Sequence, residues 1–152
     1  MNPEAVIRVE RVIEASPEEV FEAWSDADSL AIWMCPSAEM KRATVDVDFR
    51  VGGRFRIVMH DPERDYAQHG EYLEIDAPKR IVFTWISEWL PTAESTTRVS
   101  VALEPEADGR TRLVLVHDCL PEGEAYVGHS DGWSTILTKL AAAVAIAEVK
   151  RV

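Results

Sequence analysis

Along Val6-Ile7-Arg8-Val9-Glu10-Arg11-Val12-Ile13, apolar and charged residues interleave with a period near two, which predicts a half-buried strand. At Ser16-Pro17-Glu18-Glu19 the pattern changes. Ser16 suits an N-cap, Pro17 the first helical position, and Glu19 the reciprocal capping-box position. Val20, Phe21, Ala23 and Trp24 then continue as a short amphipathic helix. Ser29 to Met34 reads as a second short helix, stopped by Pro36.

From Thr44 the period returns to two. Thr44 to Val51 and Arg54 to His60 are predicted strands joined at Gly52-Gly53, a two-residue hairpin signal. Phe55, Ile57 and Met59 share one face of the second. Gln68 to Ile75 and Arg80 to Trp89 are joined through Asp76-Ala77-Pro78-Lys79, a turn by composition. Thr96 to Glu104 and Arg110 to Cys119 are joined around Asp108-Gly109. Val99, Val101 and Leu103 share a face there, as do Leu113, Leu115 and His117. The parity from Gly70 to Ile75 stays open, and with it the face of Glu71. After Pro121 a stripe of Trp133, Leu137, Leu140, Val144 and Ala147 predicts a helix from near Glu124 almost to Val152. Such a helix is on the order of 35–40 Å long, enough to cross a sheet. Successive hairpins imply an antiparallel sheet with one packed and one wet face. The expected class is α+β, in one domain over residues 1–152.

Composition narrows the function. A net charge of −11, without a basic cluster, excludes nucleic acid and an anionic membrane surface as partners. No apolar run approaches the roughly 20 residues that span a bilayer, and Met1-Asn2-Pro3-Glu4 does not open a signal peptide. A cytoplasmic location is expected. Cys35 and Cys119 are expected as reduced thiols.

Some segments carry more than periodicity. Ser16-Pro17-Glu18-Glu19-Val20-Phe21-Glu22-Ala23-Trp24, Val51-Gly52-Gly53-Arg54-Phe55, Pro78-Lys79-Arg80-Ile81-Val82-Phe83-Thr84-Trp85, and Gly132-Trp133 with Leu137 and Leu140 occur in that order. Together they resemble the family named for the activator of the heat-shock protein 90 ATPase, in its small bacterial form, within the START-like (SRPBCC) superfamily. The resemblance implies a helix-grip fold: a curved antiparallel β-sheet wrapped around a long C-terminal α-helix, with two short helices after the first strand. Superfamily relatives bind lipids, hormones or polyketides in a cavity under that helix, and a few catalyse cyclisation or dehydration there. The eukaryotic co-chaperone behind the family name adds a separate chaperone-binding domain, which is not expected here.

Trp24, Trp33, Trp85 and Trp133 sit on elements expected to face the concave side, where core and cavity wall are one surface. Trp89 ends its strand and is expected at a rim. His117 should point inward with Leu113 and Leu115. His129 stands one turn before Trp133, and His69 precedes Gly70 in a central strand. Were these histidines to converge, they would supply a polar anchor, a proton-transfer pair or, with Cys119, metal ligands. The alternative is one buried histidine satisfied by the backbone and the others exposed. No CxxC or HExxH spacing occurs, so no metal and no cofactor is expected. Tyr66 and Tyr72 face either a cavity or the sheet edge, and Glu104, Glu106 and Asp108 read as solvated surface. The expected ligand cavity comprises Trp24, Trp33, Phe55, Ile57, Met59, His69, Tyr72, Phe83, Trp85, Val99, Leu115, His117, His129, Trp133 and Leu137.

A non-catalytic binding protein for a small apolar, aromatic or lipid-like molecule fits these features first. Its cavity should measure roughly 300–1,000 Å³. The enzymatic alternative is a cyclase or dehydratase using His117 with His69 or Tyr72 as acid and base. The third reading is a chaperone-linked or stress-related interaction module, with a filled interior and an exposed apolar patch. The chain is expected as a monomer or homodimer.

Overall fold

The computed structural model describes residues 5–35, 42–88, 96–120 and 132–144. Strand β1 (Ala5–Ile13) is followed by helices α1 (Pro17–Ser25) and α2 (Ala27–Trp33). The Ser16 capping box forms as the sequence predicts: Glu19 N–H donates to Ser16 Oγ, and the Glu19 side chain accepts from the Ser16 backbone. Asp26 caps α2 by accepting from Ser29 N–H at 3.0 Å. These caps let two helices of under ten residues start so close together.

Six strands then follow: β2 (Thr44–Val47), β3 (Arg54–His60), β4 (Asp65–Asp76), β5 (Arg80–Ser87), β6 (Thr97–Pro105) and β7 (Thr111–Leu120). With β1 they form one antiparallel seven-stranded sheet in the order β1-β7-β6-β5-β4-β3-β2. Helix α3 covers 132–144. The fold is the expected α+β helix-grip. The proposed start of the last helix near Glu124, and its continuation past Val144 through Ala147, lie outside the described residues.

Strand parity sets the core. Phe55, Ile57 and Met59, then Ile81, Phe83 and Trp85, then Val99, Val101 and Leu103, then Leu113, Leu115 and His117 all turn inward and are buried. The open parity of β4 resolves with Gln68, Gly70 and Tyr72 inside, which sends His69 and Glu71 outward. A register shift between Tyr72 and Glu74 then leaves Leu73 as the extra residue, bending the strand. On α3, Trp133, Ile136, Leu137, Leu140 and Val144 are buried. Arg11 fastens the helix to β1 by donating to Ser134 Oγ at 2.8 Å.

The β2–β3 connection corrects the expected two-residue hairpin. Strand β2 ends at Val47, so the turn runs from Asp48 to Gly53. Gly52 takes the left-handed conformation at φ 84°, whereas Gly53 is restricted by space: a Cβ there would meet the Asp48 carbonyl at 2.0 Å. Gly109, at φ 85°, closes the β6–β7 hairpin where the sequence places it. Gly70 lies beneath the Phe55 ring, and a Cβ on it would stand 1.9 Å from the Thr84 carbonyl oxygen and 2.8 Å from that ring. Backbone cannot yield cheaply at such distances. Gly70→Ala should therefore cost about 1–3 kcal/mol, read as a lowered denaturant midpoint at unchanged m-value.

Candidate functional site

The inward side chains of β3 to β5, roofed by α1 and α2, form one aromatic assembly. Phe55 touches Tyr72, Phe83 and Trp85 at centroid distances of 5.5, 5.4 and 6.1 Å. Trp24 reaches down from α1 to Phe83 at 6.3 Å and stands edge-on to Trp33 at 4.6 Å. Trp24, Leu30, Met34, Phe55, Ile57, Tyr72, Ile81, Phe83 and Trp85 enclose a gap of about 10 Å³. That is the lower limit for one water molecule.

Within this apolar surround, the indole N–H groups of Trp24, Trp33 and Trp85 find no acceptor among the described residues, although their side chains are at most 3% exposed. Gln68 Oε1, further along β4, is likewise unmatched. An orphaned buried donor costs of order 1–3 kcal/mol, so three in one interior need an explanation.

Under α3 the polar groups are instead matched. Trp133 Nε1–H donates to His117 Nδ1 at 2.9 Å. An indole nitrogen only donates, so Nδ1 carries no proton, the imidazole is neutral, and its hydrogen sits on Nε2. From there it reaches Thr97 Oγ1 at 2.7 Å, and the Thr97 hydroxyl donates to the Trp85 carbonyl at 2.6 Å. Both ring nitrogens of His117 are thus engaged by protein. Desolvation raises the Tyr72 phenol well above the usual tyrosine range, so it stays protonated at neutral pH.

Of the fifteen expected cavity residues, thirteen are buried on the concave side: Trp24, Trp33, Phe55, Ile57, Met59, Tyr72, Phe83, Trp85, Val99, Leu115, His117, Trp133 and Leu137. His69 is not with them. Its odd position on β4 turns it to the outer face, where Nδ1 meets Glu88 Oε2 at 2.9 Å and Arg56 clasps the same carboxylate. The Arg56 guanidinium first, then His69, hold Glu88 below the usual carboxylate range. His129, Trp89 and the side chain of Cys119 lie outside the described residues. Cys35 is buried, and its thiol donates to the Ala31 carbonyl at 3.9 Å.

The expected cavity list omits Leu30, Met34 and Ile81. Their signals were present: Leu30 and Met34 stand four apart on α2, and Ile81 is in phase with Phe83 and Trp85. On the outer face, Thr44 Oγ1, His60 and Asp65 form a nucleophile–base–carboxylate line at 2.7 and 2.8 Å. Thr44 and Asp65 are exposed and His60 is half-buried on an open sheet face, with no walls to orient a substrate. Among the described residues no three His, Cys, Asp or Glu side chains could hold a metal ion, and no helix is long and apolar enough to cross a membrane.

Removing either end of the matched chain should strand a buried polar group. Trp133→Phe leaves His117 Nδ1 without a donor, and Thr97→Val leaves Nε2–H without an acceptor; each should cost about 1–3 kcal/mol in denaturant unfolding. Tyr72 makes stability pH-dependent at the alkaline end. Its raised folded value keeps the proton where the unfolded chain has released it, so stability should fall as pH climbs past about 10. Tyr72→Phe should flatten that slope, followed by melting temperature against pH.

Comparison with known proteins agrees with the geometry. Among proteins of curated function none matches in sequence. Among solved structures, CV1439 from Chromobacterium violaceum is similar at 29% identity and a TM-score of 0.78, over 91% of this chain and 96% of its own. The AHSA1-like protein from Aeromonas hydrophila is similar at 26% identity and a TM-score of 0.77, over 95% and 94%. PFC0360w, an HSP90 activator from Plasmodium falciparum, shares the fold at 23% identity and a TM-score of 0.71, over 90% and 94%. The sequence profile described as "Activator of Hsp90 ATPase homolog 1-like protein" matches residues 14–145, and the chain belongs to that family.

Proposed function

We propose that this chain is a cytoplasmic, single-domain, non-catalytic binding protein that holds a small apolar or aromatic molecule between α1–α2 and the concave face of β3 to β5. The observation that carries the reading is the pair of orphaned indole donors on Trp24 and Trp85, both walls of the same aromatic-lined gap. A ligand with a carbonyl, ether or hydroxyl oxygen would satisfy them while its apolar body replaces the contacts now made across the gap. The gap is far below the roughly 300 Å³ of a ligand site, so binding requires Trp24, Leu30 and Met34 to move off the sheet.

Acid–base chemistry has less support. His69 lies on the opposite face from Tyr72, and His117 spends both nitrogens on Trp133 and Thr97. The tight interior favours a second reading, an interaction module of the Hsp90-activator kind suggested by the family and by the Plasmodium relative. The exposed apolar side chains Val6, Val12, Ile32, Val51 and Leu73 are distributed over β1, α2, the β2–β3 turn and β4, as on ordinary surfaces.

Titration with a dimethylaminonaphthyl ketone, whose fluorescence reports an apolar surround, tests the first reading. Saturable binding should weaken by roughly fivefold to tenfold in Trp24→Phe or Trp85→Phe, the worth of one hydrogen bond. Without ligand, the same substitutions remove an unmatched donor, which should offset part of the packing lost with the smaller ring. No saturable binding, with no melting shift across an apolar library, sinks this reading and turns attention to protein partners.

A further inference from the structure

Outside the enclosed gap, α1, α2 and α3 leave between them a surface groove of about 170 Å³, lined by Glu19, Glu22 and Ala23, by Ser29, Ile32 and Trp33, and by Ala143 and Val144. Trp33 belongs to this groove, and its ring stands edge-on against Trp24, which walls the interior gap. A pair of indoles therefore separates the groove from the gap. Trp33 is 1% exposed, yet its N–H has no acceptor among the described residues. A side chain so placed loses no hydrogen bond when it turns. We infer that this groove is the mouth of the binding site, that Trp33 is its gate, and that its charge admits neutral and cationic molecules while disfavouring anions. The inference rests on the binding reading above and names the ligand class for it.

The charge argument is local. Among the described residues, the ionisable side chains in the lining are Glu19 and Glu22, carboxylates one turn apart on α1. Glu19 accepts from the Ser16 hydroxyl in the capping box. Lys139, one turn before Ala143 on α3, does not line the groove. Ile32, at 55% exposed, supplies an apolar lip next to the carboxylates. An apolar lip beside carboxylates matches an apolar molecule bearing no charge or a positive one. The chain's net charge of −11 acts in the same direction at longer range.

The test uses three probes with one naphthyl ketone core: the neutral ketone, the same ketone with a trimethylammonium tail, and the same with a carboxylate tail. At low salt the first two should bind with similar affinity and the carboxylate at least roughly tenfold more weakly. Glu22→Gln should narrow that difference, and so should high salt. Trp33→Phe should speed association in stopped-flow mixing by thinning the partition. Equal binding of all three probes, or an unchanged difference in Glu22→Gln, overturns the charge selection while the interior site stands. An unchanged association rate in Trp33→Phe overturns the gate. If no probe binds, this inference falls together with the reading beneath it.

Discussion

The chain from Trp133 through His117 and Thr97 to the Trp85 carbonyl is the interaction around which the interior is arranged. It ties α3 to β7, β6 and β5 in one line. A fully buried imidazole is tolerable only if both nitrogens are matched, and here each meets a partner that dictates its protonation. The ring stays neutral because an indole N–H can only donate. Trp85 is shared: its backbone ends the hydrogen-bonded chain, while its ring begins the aromatic assembly beneath α1 and α2.

That sharing divides the concave face into two regions of different character. Under α3, the tryptophan N–H is satisfied by His117. Under α1 and α2, the same residue type appears three times with its donor unmatched. Both regions are buried and aromatic, so hydrophobic burial does not distinguish them. The difference lies in polar matching: the first region is complete as it stands, and the second has donors to offer. The proposed binding site lies on the second side, where occupancy would gain hydrogen bonds rather than break them.

Much of this was legible beforehand. The capping box at Ser16 and Glu19 uses only neighbours three residues apart, so local chemistry suffices to place α1. The alternation in β3, β6 and β7 predicted the buried face because a period of two leaves no other choice once one face is packed. The same logic failed in β4, where Gly70 contributes no side chain to the pattern and a bulge at Leu73 shifts the count. The sequence next to Gly70 suggests an inward His69, yet parity, counted from Tyr72 across Gly70, turns it toward Glu88. The β2–β3 turn was read as two residues because Gly52-Gly53 mimics a tight hairpin, whereas only Gly52 uses the left-handed region and Gly53 is required by the Asp48 carbonyl.

By itself the sequence determined what depends on spacing along the chain: the order of elements, the caps, the inward residues of regular strands and the apolar stripe of α3. Its motifs also carried the family. Only the tertiary structure decided which polar groups meet. Thr97 and His117 are twenty residues apart and His117 and Trp133 sixteen, and no local pattern encodes a contact made across strands and a helix. The same holds for the indoles that remain unmatched, and for the size of the gap they surround. Volume and hydrogen-bond satisfaction are properties of side chains from distant segments filling one space. They exist only once that space is closed.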